Sequence, residues 1–426
     1  MQRLIVKGGL AFVGADLEPQ EGQAIVILDG RIQQIVPEDQ VVANPDDRII
    51  DAAGRFVLPG LIDSHLHFFG SRSPDPMIWA IEEKNQNTVR AVADARNLVD
   101  SGFTTVRDLG SNNGVAIKRA VDEGSIVGPR VVPAHLGLSM TCGHGDVHNL
   151  PSKWLCGCSY MAMIVDGTSN VRRAVRQTIR DGADVVKIWV SGGTMSERDS
   201  CYDQHYTDEE IAAAVSEAHA LRRKIAAHAE GILSARAAIR AGVDSIEHGF
   251  ELDEQCCEEM VKRNIFYVPT LSLLDRVINT PGVPDYAKEK ALPMYDIHRA
   301  SLRRAIEFGV RIGCGSDAFS GALSPFGVYN ANELVLMHKT GMKARDVLKA
   351  ATISNAELLG LDHDIGSLAP GKVADMIVVD FNPLDQIEHI SDASRILAVI
   401  QSGMIRRKSE FFTDHLEPLV KVEAVR

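Results

Sequence analysis

The chain has 426 residues, 45% of them hydrophobic and 24% charged, which is too apolar for a disordered polymer and enough to bury a large core. Its 57 acidic and 45 basic residues are interspersed and sum to a formal charge of -12, which argues against a nucleic-acid partner. No stretch nears the ~20 continuous apolar residues of a membrane span, so no membrane partner is expected either.

The first ~55 residues alternate short apolar runs with turn signals, and Asp29-Gly30 between AIVIL and RIQQIV predicts a tight hairpin. After Pro59-Gly60 short β-branched runs alternate with segments of helical periodicity. The strand candidates are FVLPGLIDSHLH, TTVRDLG from Thr104, RVVPAHLGLS from Arg130, DVVKIWVSGG from Asp184, KIAAHAEG from Lys224, VDSIEHG from Val243, IFYVPTLS from Ile265 and VRIGCGSD from Val310. Eight such units predict an α/β fold, a (β/α)8 TIM barrel over residues 57–358. From Leu359 the texture returns to antiparallel, with ADMIVVDFNPL and then ILAVIQSGMIRRK, whose Ser402-Gly403 reads as a turn. Residues 1–56 and 359–426 are therefore expected to pair into one small discontinuous β-sandwich domain. A length prior of about 150 residues per domain would give about three domains; the pattern gives two.

Composition leaves the 14 histidines unexplained. Barrel enzymes keep their chemistry at the C-terminal ends of the strands. There the first strand ends in His65-Leu66-His67, two imidazoles on one side of the strand and able to share a metal. Lys187 lies inside VVKIWV with apolar residues on both sides, so it is either paired with a carboxylate such as Asp108, neutral, or modified. Addition of carbon dioxide would make it a carbamate, an anionic group able to bridge two cations. The fifth and sixth strands end in His228 and His248, each shortly before a glycine. The eighth ends in Asp317, either a metal ligand that also exchanges a proton or the cap of a following helix. Six such residues at the ends of five strands point jointly to a site for zinc or a similar divalent ion, with no thiolate required.

In the long loop after the third strand, Thr141 to Gly145 reads Thr-Cys-Gly-His-Gly. His144 between two glycines is either a donor to a developing oxyanion or an ordinary loop histidine. His135 inside the third strand, and His148 and His205 in loops, are weaker forms of the same idea. Cys156 and Cys158 have the wrong spacing for a zinc site and are read as structural. With seven cysteines, an odd number, and no signal-peptide-like apolar stretch at the N-terminus, reduced thiols and a cytoplasmic location are expected.

PGLIDSHLH, the Lys187 strand, AHAEG, SIEHG and GSDA, followed by GSLAPGKVADMIVVD, resemble the metal-dependent amidohydrolase superfamily across nearly the whole chain. GFTTVRD, the Thr-Cys-Gly-His-Gly loop and AGVDSIEHG are similar to its branch of imidazolonepropionase-like proteins and barrel-type prolidases and dipeptidases. The resemblance implies two divalent ions, zinc first among them, with His65, His67 and Asp317 on the more buried one. It implies His228 and His248 on the other, N-carboxylated Lys187 between them, Asp317 as proton carrier and His144 as a substrate contact. Two positions depart from the branch. Glu230 stands where related prolidases often have tyrosine, and Cys142 replaces the first of the loop's paired glycines. If Glu230 faces the substrate it would repel a terminal carboxylate and hold a cationic group; otherwise it turns outward. The expected activity is hydrolysis of an amide bond in a small molecule, a dipeptide or N-acyl amino acid. The alternatives are a cyclic amide, urea or carbamate as substrate, or a catalytically silent binding barrel. Members of the superfamily commonly pair, so a homo-oligomer is expected.

Overall fold

The computed structural model describes residues 3–154 and 159–409. It is an α/β structure in which each of the eight strand candidates contributes an extended segment, distributed between two parallel sheets. One sheet has the lateral order Arg130–Pro133, Phe103–Asp108, Leu61–Ser71, Ala318–Ser320. The other has the order Ala162–Ile164, Gly137–Ser139, Val185–Trp189, Lys224–Ala229, Ser245–His248, Phe266–Val268, Arg311–Ile312. Both faces of these strands are covered, so they read as continuous apolar runs. The surrounding helices are locally well specified: Asp208–Ala220 opens with a reciprocal capping box between Thr207 and Glu210.

The two sheets are hydrogen-bonded to each other at both seams. At one, Ser64 N–H donates to the Cys314 carbonyl at 2.9 Å, and Asn355 Nδ2 donates to the carbonyls of Ile62 and Cys314, each at 2.7 Å. At the other, Asp184 N–H donates to the Pro133 carbonyl at 2.8 Å, and Thr178 Oγ1 donates to the carbonyls of Ala134 and Leu136. The expected third strand is broken between these carbonyls, and His135, expected inside it, sits in the break with φ 57°.

Residues from both ends of the described chain share a six-stranded sheet of order Met404–Lys408, Ile396–Gln401, Met376–Val379, Phe56–Pro59, Leu10–Val13, Glu18–Gln20. A four-stranded sheet, Arg31–Pro37, Gln23–Leu28, Leu4–Lys7, Arg48–Asp51, shares one apolar cluster with it, built from Ile25, Ile27, Val57, Met376, Val378 and Ile400 among others. Both sequence-read turns have positive φ at their two central residues, 52° and 77° at Asp29-Gly30 and 50° and 72° at Ser402-Gly403, the type I′ signature. They meet tip to tip: a Cβ on Gly30 would lie 2.8 Å from the Ser402 carbonyl oxygen. Among the described residues Cys142, Cys201, Cys256, Cys257 and Cys314 are unpaired; Cys156 and Cys158 lie outside them. Among the described residues no helix is long and apolar enough to cross a membrane.

Candidate functional site

The strand ends converge. Ligand atoms of His65, His248 and Asp317 all lie within 4.8 Å of one another. Asp317 Oδ1 is 3.4 Å from His65 Nε2 and 3.2 Å from His67 Nε2, while the rings of His228 and His248 sit 4.5 Å apart. Lys187 is 1% exposed, and its Nζ has no hydrogen-bond partner among the described residues. It is not paired with Asp108, whose carboxylate takes hydrogen bonds from Ser111 Oγ and Gly110 N–H instead. Nor does Asp317 cap a helix: the next one, Val328–Lys339, starts well downstream, and Asp317 sits at φ 51° with its carbonyl held by Arg276 Nη2 at 2.7 Å. The chain reaches this place because position 315 is glycine; a Cβ there would lie 2.7 Å from that of His65.

Each imidazole is oriented from behind. His65 Nδ1 donates to Glu247 Oε2 at 2.8 Å, and Glu247 Oε1 accepts from Arg107 Nη2 at 2.8 Å. His67 Nδ1 donates to the Gly110 carbonyl at 2.8 Å, His228 Nε2 donates to the Gly192 carbonyl at 3.2 Å, and His248 Nδ1 meets Thr270 Oγ1 at 2.7 Å. A carbonyl only accepts, so each ring bonded to one carries its proton on the outer nitrogen and, when neutral, points a bare lone pair inward. His248, Thr270 and Asp317 all have left-handed backbones, at φ 71°, 53° and 51°; such strain concentrates where a fold holds side chains for a task.

Electrostatics match. Burial, with the charge of Lys187, brings the His65 imidazole down to about 4, and burial drives His228 and His248 well below the usual imidazole range. Burial also pushes the Lys187 ammonium down to about 8. Burial opposes the Glu247 carboxylate, but Arg107, His65 and Lys187 outweigh it and bring it to about 2. The result is a set of uncharged imidazoles around ionised carboxylates. The unpartnered His65 Nε2 and Lys187 Nζ are buried polar atoms that a bound cation and a carbamate would satisfy.

His144 and Glu230 both line the cleft above this cluster. The His144 ring stacks on His228 at 4.5 Å and 20°, and its Nδ1 meets Ser196 Oγ at 2.7 Å. Ser196 Oγ donates to Asp199, whose Oδ1 also takes Lys290 Nζ at 3.3 Å. Glu230 is 1% exposed and faces the cleft, not solvent; its Oε1 lies 3.8 Å from His228 Nε2 and its Oε2 has no hydrogen-bond partner among the described residues. Burial and the nearby Asp199 charge push its carboxyl well above the usual range, toward the neutral form, so the repulsion of a terminal carboxylate expected of an anionic Glu230 is weakened. Cys142 sits at φ 62°, a backbone that favours the glycine it replaces. His148 lines the cleft rim, whereas His205, buried among other groups, is pushed down to about 4 by its surroundings.

Glu247, Arg107, Thr270, Ser196, Asp199 and Lys290 were not singled out from the sequence. Glu247 carried a signal all the same, a charge inside the apolar strand SIEH, the feature that marked Lys187. Strand alternation would put it on the face opposite His248, but the left-handed backbone of His248 breaks that alternation.

The cleft measures about 770 Å³ with its open mouth included. Buried imidazoles around a carboxylate, at the ends of parallel strands under such a cleft, define an α/β protein with a candidate divalent-metal centre. The chain belongs to the amidohydrolase family, whose model matches residues 56–406. It is 31% identical to the ochratoxinase of Aspergillus niger over 421 residues, 94% of this chain and 86% of that one. A crystal structure of a prolidase complexed with N-methylphosphonate-L-proline superposes with a TM-score of 0.89 at 30% identity, covering 96% of this chain and all of that one. A Xaa-Pro dipeptidase with methionine bound in its active site superposes at 0.84 and 30% identity, covering 95% and 99%.

Proposed function

We propose that this chain is a metal-dependent hydrolase that cleaves the amide bond of a dipeptide or N-acyl amino acid. In this reading the two parallel sheets close as one (β/α)8 barrel over about residues 57–358. The termini, 1–56 and 359–426, form a discontinuous β-sandwich. The hydrogen bonds at both seams and the six-stranded sheet shared by the two ends support that division. The observation that supports the function is the cluster of His65, His248 and Asp317, whose ligand atoms lie within 4.8 Å of one another, beside the cleft-lining His67, Lys187 and His228, with buried nitrogens of His65 and Lys187 lacking a hydrogen-bond partner among the described residues. His65, His67 and Asp317 would hold one cation, and His228 and His248 a second. Lys187 would stand between them once its neutral amine has added to carbon dioxide and lost a proton. When bound, such cations polarise a carbonyl and bring the pKa of water toward 7. Asp317 takes a proton from the attacking water and returns it to the leaving nitrogen. His144, fixed by Ser196, hydrogen-bonds the substrate beside the scissile bond, and Glu230 sets which group is accepted next to it. The likeness to a prolidase and a Xaa-Pro dipeptidase supports amide cleavage, while Glu230 where related prolidases often have tyrosine argues against prolidase activity itself. A cytoplasmic setting fits the unpaired cysteines.

Purified protein should contain about two divalent ions per chain. Lys187→Ala should lose both metal and activity, and retention of full activity would remove the carbamate. A library of dipeptides and N-acyl amino acids, assayed beside cyclic amides and aryl ureas, tests the bond. Silence on every linear amide would overturn the reading.

A further inference from the structure

Residues 192–199 border the cleft and belong to no helix or strand; between Trp189 and Asp208 the only ladder contact among the described residues is an isolated bridge of Ser191 with Gln204. Yet this segment must be held well, because it touches two histidines of the site. The Gly192 carbonyl accepts from His228 Nε2 at 3.2 Å. Gly193 packs so closely on His144 that a Cβ there would lie 2.4 Å from Cε1 of the ring. Thr194, Met195, Ser196 and Glu197 line the cleft itself.

The anchor comes from a distant helix, Asp285–Phe308. Its Lys290 Nζ donates to the Gly193 carbonyl at 3.2 Å, to the Ser196 carbonyl and to Asp199 Oδ1 at 3.3 Å. An ammonium has three N–H donors, and all three are directed at this one segment. Tyr286, four residues earlier and so on the same helix face, adds a hydrogen bond from its hydroxyl to the Met195 carbonyl at 3.1 Å. The Asp199 side chain is 2% exposed, and among the described residues Lys290 is the one lysine or arginine paired with it. Asp199 takes the hydroxyl proton of Ser196, which leaves the Ser196 oxygen to accept from His144 Nδ1 at 2.7 Å. Lys290 lies outside the cleft, on a neighbouring cavity that it shares with Cys201 and Tyr202.

We propose that Lys290 is a positioning residue: without touching the substrate it fixes residues 193–199 and, through Asp199 and Ser196, the plane and the proton of the His144 ring. The proposal rests on the amide-hydrolase reading above for what His144 does, and adds what keeps His144 in place. Removing the ammonium deprives two carbonyls and a buried carboxylate of a shared donor, so the segment loosens as a unit. Misplacing a substrate contact by about 1 Å costs ~100-fold, so Lys290→Met should lower kcat/KM by about 10- to 100-fold. The loss should include a raised KM, since a loosened His144 holds substrate less well. Lys290→Arg keeps the charge and supplies N–H donors, so it should regain most of the loss.

The test measures kcat and KM of both variants on the best substrate of the amide library. Hydrogen exchange of the metal-loaded full-length protein, read by mass spectrometry, follows the segment without turnover. Peptides covering 192–199 should exchange severalfold faster in Lys290→Met, while Lys224–Ala229 and Ser245–His248 keep the parental rates. Unchanged exchange at 192–199 would overturn the proposal, and so would an unchanged kcat/KM or no recovery in Lys290→Arg. A lower kcat at unaltered KM, or faster exchange throughout the barrel strands, would also overturn it, because each marks a loss of folded protein instead of a displaced loop. Faster exchange confined to 192–199, in a protein whose parent hydrolyses no amide, would keep Lys290 as the anchor and remove the hydrolase reading.

Discussion

Replacing Glu247 by alanine should damage stability and the candidate metal centre by separable routes. The side chain is fully buried, and so is its partner Arg107, 2% exposed. Removing the carboxylate leaves a guanidinium in the protein interior with the Ser64 carbonyl and Ser245 Oγ as its acceptors and no countercharge of comparable strength. Breaking a buried pair from one side costs ~3–5 kcal/mol, a large share of the ~5–15 kcal/mol that holds a typical domain together. That corresponds to a fall of about 10² to 10⁴ in the folding equilibrium. Removing both charges, as Arg107→Met with Glu247→Leu, replaces the pair by apolar volume and should return stability to within ~1 kcal/mol of the parent. The double variant still lacks the acceptor that orients His65, so its metal affinity should remain ~10- to 100-fold weaker. Urea unfolding followed by circular dichroism, with a chelator present, measures the first effect, and competition with a metal indicator dye measures the second. The reasoning is refuted if Glu247→Ala unfolds within ~1 kcal/mol of the parent, or if the double variant binds metal as the parent does.

Asp199→Ala should lower kcat/KM by about tenfold through a less ordered His144, and the effect should vanish in a His144→Ala background; an additive double variant would show that Asp199 acts elsewhere. Burial raises the Glu333 carboxyl to about 7 although it accepts from Leu271 N–H, Ser272 N–H and Ser272 Oγ. Its folded pKa lies above the ordinary 4.5, so between about 4.5 and 7 the folded state holds more proton than the unfolded one and stability falls as pH rises. Glu333→Gln should therefore gain on the parent across that window and run parallel above it in urea midpoints taken against pH. Thr207→Ala removes one half of the capping box with Glu210 and should cost about 1 kcal/mol in the same assay.

Strand ends and side-chain period made much of this molecule readable. His65 and His67 announce themselves by spacing, and Asp29-Gly30 and Ser402-Gly403 by turn chemistry, because those signals are local. Glu230 could be named but not aimed, since its direction depends on the packing of residues 191–199, which no local pattern encodes. The Arg107–Glu247–His65 chain joins residues from three strands, and no single stretch of sequence displays it. The break at His135 escaped for a related reason. Apolar continuity through RVVPAHLGLS reads as one strand, whereas the left-handed residue that divides it has no unambiguous residue code outside glycine.

The six-stranded sheet also dictates an order of events. Phe56–Pro59 pairs with Met376–Val379, a partner synthesised about 320 residues later. At the usual pace of translation that is a wait on the order of tens of seconds, during which an apolar strand edge from the nascent N-terminal segment has no neighbour. The ribosome must therefore finish the residues between these two strands before the second edge of Phe56–Pro59, whose first is held by Leu10–Val13, is closed off. Truncated chains ending short of residue 376 should bind chaperones and aggregate far more readily than the full-length product.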